Sequence, residues 1–101
     1  MSRPRNKRRA DARAAAKLAD EREKLSRLEP GGCAERPLEV EAASIVEARA
    51  QSLGCARCGG ETRLLEHRAE TVDGAALRVV DLQCRPCGAK RRVFVRLTRP
   101  N

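Results

Sequence analysis

Cys55-Ala-Arg-Cys58-Gly and Cys84-Arg-Pro-Cys87-Gly repeat one five-residue pattern, with twenty-five residues between Cys58 and Cys84. Two residues between thiols let a chain wrap one edge of a tetrahedron. The glycine after the second Cys permits the positive φ at which backbone amides turn toward the sulfurs. Two such knuckles side by side complete a set of four thiolates, a donor set that selects zinc or a single iron. With no carboxylate or open position added, the set describes a closed, structural site. The spacing predicts one Zn2+ held by Cys55, Cys58, Cys84 and Cys87, with iron disfavoured. Two disulfides would use the same residues, but they belong to oxidising compartments. A thioredoxin-type pair needs a βαβ scaffold, for which the sequence has no pattern.

The rest of the chain makes such a staple necessary. Of 101 residues 41% are apolar, but sixteen of those forty-one are alanines. Leu, Ile, Val and Phe together number nineteen, and Phe94 is the sole aromatic. That is just under the roughly one-fifth level at which highly charged chains drift toward disorder, and a chain this short buries little surface. Structural zinc contributes about 10–16 kcal/mol in small finger peptides, enough to close the gap. A sizeable enzyme core with a deep substrate cleft is not expected at this size. No Ser/His/Asp or Cys/His set and no Gly-rich phosphate loop can be assembled, so neither an enzyme nor a small-molecule substrate is expected. No 18-residue apolar stretch exists, and the Arg-rich start has no apolar run behind it. These features predict no membrane span, no secretory leader and a cytoplasmic protein.

Apolar residues are unevenly placed. Residues 1–29 hold only Leu18, Leu25 and Leu28 of the nineteen, so the core must lie in the second half. Residues 1–9 read as a disordered basic arm. Residues 10–29 read as a helix, built from strong helix formers with no β-branched residue. Ala14, Leu18, Leu25 and Leu28 form a thin stripe broken by Glu21, while Glu21–Lys24 and Glu23–Arg27 stand at helical contact spacings. Pro30-Gly31-Gly32 stops the helix and opens a linker over 30–37. Residues 38–53 carry two patterns at once. Uncharged even positions between charged odd ones read as a strand, whereas Leu38, Ala42, Ile45 and Leu53 also fit one helical face. The alternation favours strand.

From 54 to 98 the reading is a metal-held β domain. Val72-Asp73-Gly74-Ala75 predicts a two-residue hairpin turn, since Asp-Gly takes both positive-φ positions of a type I′ turn. Its flanks, 62–71 and 76–83, pair so that Val72 opposes Ala75, His67 opposes Val80 and Leu65 opposes Leu82. Residues 91–97 make a third strand with Val93, Val95 and Leu97 on one face. This CxxCG–hairpin–CxxCG–strand order resembles the zinc ribbon group over about residues 53–97. The resemblance implies a three-stranded sheet capped by two zinc knuckles and gives the four cysteines ligand roles; it implies no single activity. The fold class expected is therefore a small metal-stabilised β domain, a three-stranded zinc ribbon, with an N-terminal α-helical, partly disordered extension. Rubredoxins have similar knuckles around iron, but among conspicuous aromatics that this chain lacks, so an electron carrier is a remote alternative. Transcript-cleavage elongation factors are similar in spacer length and carry an Asp-Glu pair at the hairpin tip. Here Asp73 stands there alone, a poor magnesium site.

Charge points to the partner. The net charge is +8, and residues 1–29 carry ten basic groups against five acidic ones. Such a balance suits a polyanion, either nucleic acid or an acidic protein surface. The candidate contacts are Lys90, Arg91, Arg92 and Arg96 of the last strand, where Arg92 and Arg96 share a face with Phe94, together with Arg8 and Arg9 of the arm. A protein-interaction adaptor docking through the Ala/Leu stripe of the helix is the alternative. Cys33, with no second Cys beside it, reads as a buried or incidental thiol. His67 would be redundant beside four thiolates and reads as structural or solvent-facing.

Overall fold

The structure, a computed structural model, describes residues 4–98, with side chains from Lys7 onward. Helix α1 spans Pro4–Ser26 and is followed by strand β1 (Leu38–Val40), a 3-10 turn (Ala43–Ile45) and helix α2 (Val46–Ser52). Strands β2 (Thr62–Val72), β3 (Ala75–Cys84) and β4 (Lys90–Leu97) complete the chain. The sheet has four strands in the order β1-β4-β3-β2 rather than the three expected. β1 is the addition: it runs parallel to β4, pairing Leu38 with Val95 and Val40 with Leu97. Thr98 fastens that edge by donating its N–H to the Val40 carbonyl at 2.8 Å.

Three expectations for the first half are corrected. Helix α1 starts at Pro4, not Ala10, so residues 4–9 of the expected disordered arm are helical; residues 1–3 lie outside the described ones. Proline suits a first helical turn, where its missing N–H has no intrahelical partner to lose. Segment 38–53 is neither one strand nor one helix. Its first three residues pair with β4, and the chain then breaks before α2. The face that α2 buries is Val46 and Ala50, both 0% exposed, at spacing i, i+4. Ile45 and Leu53, assigned to the helical face, stay on the surface.

The hairpin forms as its turn demands. Asp73 and Gly74 both take positive φ, 50° and 82°. Val72 opposes Ala75 and His67 opposes Val80. Leu65 does not oppose Leu82. A β-bulge between Leu64 and Glu66 shifts the register, so Leu64 takes that place and Thr62 comes opposite Cys84. Such a bulge adds a residue and sharpens the twist, here where β2 and β3 feed the two knuckles.

One core results. Val80 and Leu82 of β3, with Val93 and Val95 of β4, meet Val40, Val46 and Ala50 beneath α2. The opposite face buries Leu77 and Val79 under charged side chains instead of a second layer of elements. Arg68 reaches Asp81 at 2.8 Å, Glu70 at 3.0 Å and Glu66 at 3.4 Å. Arg68 stands opposite Val79 and Glu70 opposite Leu77 in the register, which sets their side chains beside that pair.

Candidate metal centre

The two knuckles are built alike. In each, the first Cys donates its N–H to a carbonyl five residues on: Cys55 to Gly60 at 2.9 Å, Cys84 to Ala89 at 2.8 Å. In each, the glycine after the second Cys donates back to the first Cys carbonyl at 3.0 Å, from Gly59 and from Gly88. Both glycines have φ +76°, the conformation for which the motif keeps glycine. The Arg85 N–H, donated to the Glu61 carbonyl at 2.9 Å, ties the second knuckle to the start of β2.

The hairpin brings all four sulfurs together, every pair within 4.8 Å. Cys55 Sγ lies 3.6 Å from Cys87 Sγ, and Cys58 Sγ 3.4 Å from Cys84 Sγ. A disulfide would need about 2.05 Å, and all four cysteines are unbridged. A four-coordinate ion with bonds of about 2.3 Å to sulfur sets sulfurs about 3.8 Å apart. The observed edges fit that cage, and the four cysteines can hold one metal ion.

The electrostatics point the same way. Burial pushes the Cys55 thiol up. The N–H groups of Cys58 and Arg57 and the thiols of Cys87 and Cys84 outweigh it and bring the group down to about 7. At Cys84 the Cys87 backbone favours the thiolate. Burial and hydrogen bonds with the Cys58, Cys87 and Cys55 sulfurs overcome it, and the group is pushed up to about 12. The opposite shifts come from burial and from protons shared between the sulfurs, and a metal ion bound among them would deprotonate the thiols outright.

Gly60 is the residue that sequence reasoning missed. A Cβ there would stand 2.7 Å from Pro86 Cγ and 3.1 Å from the sulfurs of Cys58 and Cys84. Its N–H donates to Cys58 Sγ at 3.4 Å. The Gly-Gly pair after Cys58 was its only trace in the sequence. Cys33 stands outside the cluster, half-buried in the 33–36 turn. His67 is also elsewhere, its Nδ1 at 2.8 Å from Glu47 Oε2 on α2.

The basic residues are not assembled as expected. Arg91 is turned inward, donating Nη1 to the Gly54 carbonyl at 3.0 Å; burial holds its basicity down, against the charges of Glu29 and Cys55. Arg92 is paired with Asp81 at 2.8 Å and Arg96 with Glu39. The outer sheet face sets Arg63, Arg68, Lys90, Arg92 and Arg96 against Glu39, Glu66, Glu70 and Asp81, a near balance. Only Lys90 of the four proposed β4 contacts has neither an ion pair nor a side-chain hydrogen bond among the described residues. Along α1 the position differs. Lys7, Arg8, Arg9, Arg13 and Lys17 are exposed beside the single carboxylate of Asp11, and none has an ion pair among the described residues. No described helix is long and apolar enough to cross a membrane. Comparison with family models, with curated proteins and with solved structures finds no match to this chain.

Proposed function

We propose that this chain is a non-catalytic binding module, held by one structural zinc in a zinc-ribbon-like centre, that contacts nucleic acid through the N-terminal half of α1. Zinc suits a closed four-thiolate set without redox demand. It would be held by Cys55, Cys58, Cys84 and Cys87, and would supply folding energy rather than chemistry. Iron would make the purified protein red, whereas zinc leaves it colourless.

The observation that carries the reading is the contrast in cation pairing. The arginines of β4 are occupied by Gly54, Asp81 and Glu39, whereas five cations between Lys7 and Lys17 have no ion pair among the described residues. Lys7 also closes the first turn, at the positive end of the helix dipole, where no acidic residue stands. Alone, that arrangement disfavours the helix; phosphates along it would reverse the sign. Nucleic acid is therefore the partner favoured, ahead of an acidic protein surface. Binding to a DNA or RNA duplex should weaken steeply with salt. Five phosphate contacts give a log–log slope of up to about −4.5, at about 0.9 per phosphate on B-DNA. Arg8→Glu with Arg9→Glu should cut affinity more than Arg92→Glu with Arg96→Glu. Absence of any gel shift at about 50 mM salt would remove nucleic acid from the account.

A second reading has its own observation. Leu18, Leu25 and Leu28 are 53%, 58% and 64% exposed. A protein docking on that stripe would bind with little salt dependence, and Leu18→Asp would abolish it.

A further inference from the structure

We infer that Arg57 couples the position of α1 to the metal centre, so that losing the metal releases the helix. The inference rests on the reading of α1 as the contacting element, and adds what sets its position. Arg57 lies between two of the cysteines, and its two ends do different work. Its backbone N–H donates to Cys55 Sγ at 3.3 Å, with the Cys58 N–H on the same sulfur at 3.5 Å. Its guanidinium Nη1 reaches Asp20 Oδ1 at 2.6 Å and Glu23 Oε2 at 2.8 Å.

Asp20 and Glu23 are three apart on α1, a spacing that lets one guanidinium span both. Apart from Glu23–Arg27, just past the helix end, these are the only ion pairs among the described residues that join α1 to the rest of the molecule. The half-buried positions of the helix, Ala19, Glu23 and Ser26, follow at i, i+4 and i+7 and mark its docked side. Below the helix the chain is pinned a second time, where Phe94 donates its N–H to the carbonyl of buried Gly31 at 2.9 Å. Gly31 is thus a pivot, and Arg57 is the strut that sets the angle about it. The strut stands on a loop whose backbone is organised by sulfurs; of residues 55–60, Cys55 alone is buried. Once no cation holds the sulfurs together, the loop has no apolar core of its own to keep Arg57 in place.

Isotope-labelled full-length protein, metal-loaded with zinc alone, tests this by backbone 15N relaxation of α1 against the sheet. In the wild type both should tumble together. In Arg57→Ala, with metal content and β3–β4 resonances unchanged, the undocked helix population should rise roughly three- to tenfold, as exposed charge pairs of this kind allow. Arg57→Glu combined with Asp20→Arg and Glu23→Arg should restore docking. Chelation should release α1 at or before the loss of protection in β3 and β4. An α1 that stays coupled in Arg57→Ala, or after metal removal, overturns the inference. Duplex binding measured on the same samples separates the two claims. If α1 is released but no duplex binds, the functional reading fails and the strut stands; if duplex binds but α1 never moves, the strut fails.

Discussion

At Gly59 and Gly60, adjacent glycines have different reasons to be glycine. Gly59 needs its positive φ and has open space around it, so Gly59→Ala should cost about 1–2 kcal/mol of backbone strain. The sulfurs would barely notice. Gly60 has ordinary φ but no room, and Gly60→Ala would force Cys58 and Cys84 apart. Its metal affinity should fall roughly 10–100-fold, as when a ligand's support is removed, in competition against a chromophoric chelator; equal losses in the two variants would contradict the packing argument. Asp81 offers a second test. Bonding to Arg92, against the opposing effect of burial and with help from Arg68, holds its carboxyl below the usual carboxylate range. A lowered pKa means the contribution is complete above the ordinary carboxylate value and is lost as pH falls through the folded one. Asp81→Asn should therefore cost about 1–2 kcal/mol near neutrality. Urea melts should show the gap to wild type closing on acidification.

Among the elements, those set by local chemistry were legible and those set by pairing were not. Asp73-Gly74 announces its hairpin because few other residues accept two positive φ values in succession. The bulge at Leu65 has no such mark, since it depends on where β3 must meet the knuckles. Segment 38–53 carried both periodicities, and contact with β4 decided that three residues would be strand. The stripe of Leu18 and Leu25 was readable as a pattern, but not that α1 would dock by Ala19, Glu23 and Ser26 and leave the leucines in solvent. Two substitutions separate these roles in the metal-loaded protein. Val46→Ala, fully buried beneath α2, should destabilise by about 1.5–3 kcal/mol. Leu18→Asp should stay within about 0.5 kcal/mol of wild type. A large stability loss from Leu18→Asp would mean that the stripe packs within the chain.

For the whole molecule, the long dimension is 65 Å against 22 and 16 Å across. Helix α1, about 34 Å long at 1.5 Å per residue, reaches away from a body whose core is five valines, one leucine and an alanine. The clustering of the four cysteines was legible, because tetrahedral sulfur chemistry dictates both their spacing and the glycines behind them. The pairing of Arg92 and Arg96 was not legible, because their partners, Asp81 and Glu39, come from other strands, and sequence spacing carries no trace of it. So thin a core makes the proposed metal the main support of the fold. Metal analysis of the purified protein, followed by circular dichroism during titration with a strong chelator, tests this most directly. One zinc per chain, and cooperative loss of sheet signal as it is withdrawn, is the result predicted. A metal-free protein with the same spectrum and the same unfolding midpoint would contradict it.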